Sequence, residues 1–142
     1  MIGIDTSFLV AFEIAEHPLC MDARNFAGKN AETGFALAPQ VLSEFVHITT
    51  DSKSFAKPLS VKEALKRSYR WWNAREVRHV FPTHQTVMIF NDWMNRFGLG
   101  RKRLLDTMLA ATYASVGIEK IVSTDARDFN IFPSISRCNI AS

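Results

Sequence analysis

The chain has 142 residues, is 47% hydrophobic with a mean hydropathy of −0.02, and carries a formal net charge of +3. That size suits one domain burying about two thirds of its unfolded surface, so residues 1–142 are expected to form a single domain. No stretch reaches the roughly 20 apolar residues that a bilayer crossing needs, which excludes a membrane-spanning helix and predicts no membrane partner.

Met1 to Ile4 predicts a short buried strand closed by Asp5, Thr6 and Ser7. Residues 7–15 predict a helix, and Pro18 followed by LCMDARNFAGKN predicts a second one ending near Gly28. FALA at 35–38 reads as the next strand, and Pro39 sits at a favoured first-turn position to open a helix to about Thr50. Residues 51–59 read as a loop. Ser60 and Glu63 form a capping-box pair before the helical run VKEALKRSYRWWNAR. VRHVF at 77–81 predicts a strand, Thr83 caps a helix that Gly98 ends, and residues 103–116 are helical up to Gly117. EKIVS at 119–123 predicts a further strand, and RCNI one more. Strands that alternate with helices, without hairpin signals, imply an α/β fold: a central parallel sheet of four or five strands with helices on both faces.

The start lacks the basic region, long apolar segment and cleavage site of a secretory signal, so a cytoplasmic location is expected. Cys20 and Cys138 are far apart and lack ligand spacing, which points to thiols rather than a disulfide framework. Charge is uneven. From Lys57 to Arg78 there are seven bases against two acids, and Arg96, Arg101, Lys102 and Arg103 form a second cluster. Such patches attract polyanions, although a solvated helix face has the same composition.

Four acids stand where apolar residues or strand ends are expected. Asp5 follows the first strand and Asp125 follows KIVST; in open parallel sheets, ligands bind beyond such strand ends. Each could instead cap the helix that follows. Glu44 lies within the apolar row Val41, Phe45, Ile48, and Asp106 shares a helix face with Leu109, Ala110 and Tyr113. Each acid could pair with a buried Arg or Lys, but neither of the first two strands contains a basic residue. Four converging carboxylates would repel one another, and a hard divalent cation resolves that repulsion. Magnesium, with manganese as an alternative, prefers such oxygen ligands. Thr6, Ser7 and Thr124 would orient the ligands or a water beside them.

An apolar strand ending in Asp-Thr-Ser, a mid-chain Ser-Glu-Phe, the run LLDTMLAATYASVG and the later STDARDF together resemble the PIN-domain ribonucleases, above all the VapC toxins of type II toxin–antitoxin modules. The resemblance spans essentially the whole chain. It implies that the family's acidic cluster falls on Asp5, Glu44, Asp106 and Asp125, with Asp128 nearby and expected to be structural. It further implies a Mg2+-dependent endoribonuclease that hydrolyses RNA through a metal-activated water. A cognate VapB-type antitoxin would neutralise it by docking in the active-site groove, and members are commonly homodimers. Lys66, Arg67, Arg70, Arg101, Lys102 and Arg103 are candidate phosphate contacts. Trp71, Trp72 and Trp93 are candidates for base stacking, with core or dimer packing the commoner fate of such residues.

Other classes fit less well. Glu44 and His47 match one Glu-x-x-His step of a di-iron bundle, but no second step exists. A phosphate-accepting receiver would need an acid after its central strand, and VRHVFPTH has none. The remaining rival is a non-catalytic PIN-like module that binds RNA or a partner.

Overall fold

The computed structural model describes residues 1–125 and 129–141. Among these residues, five short strands form one parallel sheet: β1 (Ile2–Ile4), β2 (Phe35–Leu37), β3 (Val77–His79), β4 (Lys120–Val122) and β5 (Ser136–Cys138), in the order β3-β2-β1-β4-β5. Six helices among the described residues join them: α1 (Thr6–Glu13), α2 (Cys20–Lys29), α3 (Pro39–Thr49), α4 (Val61–Trp72), α5 (His84–Arg96) and α6 (Leu104–Ser115), the last preceded by a 3-10 turn at Arg101–Arg103. This is the α/β arrangement that the alternation of apolar runs and helical periods predicts. The chain moves from β1 through β2 to β3 in one direction, then returns to β4 on the other side of β1. Right-handed crossovers therefore place α1–α4 on one face and α5–α6 on the other, and α5 packs chiefly on α6.

The face under α1–α4 is aromatic. Phe8 meets Phe35 and Phe26, and Trp71 packs edge-on against Phe12 with ring centroids 4.8 Å apart. Trp71 anchors its indole N–H on Glu13 Oε2 at 2.8 Å, so this ring is a core strut rather than a base-stacking surface. Trp93 is equally buried and stacks on Phe132, whereas the half-buried Trp72 stacks on His79 at 3.5 Å. Under α6 the packing is closer. Ile2 and Ile4 flank Gly3, and the Tyr113 ring lies so near Gly3 that an added Cβ would be 2.7 Å from it.

Helix ends follow their local chemistry. Gly98 and Gly117 adopt φ of +57° and +79°, which lets the following N–H groups of Leu99 and Ile118 reach back to Met94 and Tyr113 carbonyls. At α4, Ser60 accepts from the Glu63 N–H at 3.1 Å, but the Glu63 carboxylate turns to Arg67 instead of reaching back, so only half of the predicted capping box forms. Among the described residues, no helix is long and apolar enough to cross a membrane.

Candidate active site

The return of the chain from β3 to β4 makes the boundary between β1 and β4 the point where strand order reverses. In open α/β sheets the binding crevice forms at that point, beyond the carboxyl ends of the strands. Asp5 and Ser123 follow β1 and β4 directly there. Helices α1 and α3 begin at this edge because each follows a strand at once. Helix α6 runs antiparallel to β4, which it precedes, so its first turn with Asp106 also lies at the carboxyl edge.

Asp5 is 7% exposed, at the N-cap position of α1, yet its side chain makes no capping bond. Instead Ser7 Oγ and Ser123 Oγ both donate to the same carboxylate oxygen, Oδ2, at 2.6 and 2.8 Å. These described side-chain donors are neutral hydroxyls. Burial therefore pushes the Asp5 pKa up, with the Ser7 and Ser123 bonds only partly opposing it. The hydroxyls are fixed in turn: Thr124 N–H donates to Ser7 Oγ at 3.0 Å, and Asp125 N–H donates to Ser123 Oγ at 3.1 Å. Asp125 is thus tied to Asp5 through Ser123.

Glu44, half-buried on α3, accepts from Thr6 Oγ1 at 3.1 Å. Its pKa is raised, first by burial and further by the nearby Asp5 charge, with the Thr6 bond acting against both. Asp106 is half-buried in the first turn of α6. Asp128 lies outside the described residues. Among those described, no group of three His, Cys, Asp or Glu side chains is arranged closely enough to hold an ion as it stands. The donor chemistry nevertheless suits a hard cation: oxygens only, one carboxylate buried on neutral hydroxyls, and a second that senses the first.

Of the residues expected around the acids, Thr6 and Ser7 act through their hydroxyls and Thr124 through its backbone. Ser123 escaped sequence reasoning because it closes a buried strand and looks like one more core position. The signal was a polar residue two before Asp125. The basic clusters separate in space. Arg67 donates to the carbonyl of Glu13, the last residue of α1, at 2.7 Å. That is about 12 Å along the helix from Asp5 at 1.5 Å per residue, so α4 places Lys66, Arg67 and Arg70 toward the opposite edge of the sheet. Arg101, Lys102 and Arg103 immediately precede α6, on the carboxylate side.

The sequence matches the PIN domain over residues 2–133. The chain belongs to the PIN-domain family. No protein of curated function matches the sequence. Among solved structures, this PIN domain is similar to VapC20 of Mycobacterium tuberculosis, a Sarcin-Ricin loop cleaving toxin. The two share 17% identity over 90% of this chain and 92% of that one, with a TM-score of 0.70. It is also similar to VapBC2 from Rickettsia felis bound to promoter DNA, at 14% identity, 98% of each chain and a TM-score of 0.67. VapBC-1 from nontypeable Haemophilus influenzae gives 12% identity over 100% of both chains, with a TM-score of 0.67.

Proposed function

We propose that this PIN domain is a metal-dependent endoribonuclease of the VapC toxin class, with Asp5, Glu44, Asp106 and Asp125 as its catalytic carboxylates. The observation that carries this reading is Asp5: a buried carboxylate at the β1/β4 crevice, held by two hydroxyls on one oxygen. Both hydroxyls meet Asp5 on Oδ2, which fixes the carboxylate in the crevice. Asp5, Glu44 and Asp106 would hold Mg2+, or Mn2+ in its place. When bound, such an ion supplies positive charge at the scissile phosphate and makes water more acidic.

The chain's own groups do the rest. Ser7 and Ser123 keep Asp5 from rotating, and Thr6 does the same for Glu44. Asp125, fixed by its backbone bond to Ser123, orients the attacking water. Arg101, Lys102 and Arg103 meet the RNA phosphates beside the crevice. In-line attack on the phosphorus leaves a 5′-phosphate and a 3′-hydroxyl. VapBC toxin–antitoxin structures among the neighbours support a VapB-type antitoxin as the partner that closes the crevice, and the family resemblance makes a homodimer the expected working form.

Sequencing the ends produced from total RNA by wild type and Asp5→Asn, in magnesium, tests the proposal. Discrete 5′-phosphate ends from wild type alone are expected. Equal cleavage by both proteins would remove the assignment, and RNA binding without cleavage would favour a non-catalytic module.

A further inference from the structure

β1 and β2 are joined by one residue pair fewer than their neighbours. Their register covers Ile2↔Phe35 and Gly3↔Ala36 and stops, whereas β1 with β4 and β2 with β3 each continue for three pairs. Bonds in a parallel ladder alternate in a fixed order. Since Ile2 N–H donates to Gly34 O, the rung due after the Gly3 pair is Ala38 N–H to Ile4 O. Tyr113 takes that place. Its hydroxyl donates to Ile4 O at 2.6 Å and accepts from Ala38 N–H at 3.4 Å. The ring reaches this point from α6 by lying flat on Gly3, fully buried.

The next residues beyond this single inserted oxygen are Asp5 on one side and Pro39, the start of α3, on the other. The hydroxyl therefore sets the distance between the turn that carries Asp5 and the helix that carries Glu44. We propose that Tyr113 is a positioning residue for the carboxylate site, holding the ends of β1 and β2 one oxygen apart so that Asp5 and Glu44 face a divalent ion together. This rests on the function proposed above.

Tyr113→Phe keeps the ring and removes the wedge. Manganese(II) binding to the apo protein, read from the electron paramagnetic resonance of the free ion, reports on the site without RNA. The variant should bind Mn2+ about tenfold or more weakly, as removing a group that supports metal ligands does. Its kcat should fall while KM for RNA stays unchanged. Ile118→Val, a core trim beyond α6, should keep wild-type Mn2+ affinity. Wild-type affinity in a folded Tyr113→Phe protein would overturn the proposal, as would an equal loss in Ile118→Val. If Tyr113→Phe does not fold, 3-fluorotyrosine can be incorporated in a Tyr69→Phe background, since the chain has only two tyrosines. A shifted Mn2+ affinity then supports the wedge and an unchanged one removes it. Wild type that binds no manganese fails the functional proposal itself, whereas normal wild-type binding with an unaltered variant fails only this one.

Discussion

At the scale of single residues, the energetic oddity is a carboxylate kept out of water with hydroxyls for company. Burial holds the Asp5 pKa above its ordinary value of 3.8, so ionisation costs the folded apo protein. The stability linked to this group is fully present below that ordinary value and is lost as pH rises through the raised one. Asp5→Asn should therefore melt higher than wild type without metal, by about 3 °C or more near neutral pH, and its advantage should grow with pH across that window. Melts from pH 3 upward, in a chelator, check this. A lower melting temperature for the variant at neutral pH would contradict it. The same substitution should abolish RNA cleavage in magnesium, because it removes the carboxylate charge that the proposed function assigns to metal binding.

At the scale of elements, Gly3 and α6 meet with no slack. Gly3→Ala places a methyl group 2.7 Å from the Tyr113 ring, and overpacking of this kind costs about 1–3 kcal/mol. Chemical denaturation should show that destabilisation, and an unchanged midpoint would mean the ring can move aside. The turn before α6 offers a second test. Charge reversal at Arg101 and Lys102 should flatten the salt dependence of RNA binding, lowering the slope by about one for each phosphate no longer neutralised. Reversal at Lys66 and Arg70 should do less, because Arg67 fixes that helix to the far end of α1.

Much of this architecture was legible in one chain, for physical reasons. Strand and helix order follows from apolar periodicity, and helix ends follow from Pro39, Ser60, Gly98 and Gly117, whose backbone chemistry acts locally. Asp5 and Glu44 stood out because a charge in an apolar row is costly wherever the chain goes. The Tyr113 hydroxyl and, apart from its place two before Asp125, Ser123 stayed hidden because their roles arise across 109 and 118 residues of sequence. β3 proved shorter than VRHVF suggested. Past His79 only the Val80 N–H still pairs, with Leu37 O, and Phe81 is exposed.

At the scale of the whole molecule, burial and the nearby Asp5 charge both raise the Glu44 pKa at one edge of the sheet, so binding of a cation there should be read globally. An ion that binds only the folded state stabilises it by about 2.7 kcal/mol at 100 times its Kd. Thermal melts should rise on adding magnesium or manganese and return with chelator, whereas Asp5→Asn should not respond. A wild-type transition indifferent to both ions would argue against the metal site.

The flat packing of Tyr113 on Gly3 also constrains how this lineage can drift. A side chain gained at Gly3 would meet the Tyr113 ring at 2.7 Å, so bulk added on the strand is best matched by bulk given up on the helix. Descendants and cousins should therefore show the two sites exchanging size as a pair, with a small aliphatic residue on α6 wherever the first strand carries a branched one in its middle.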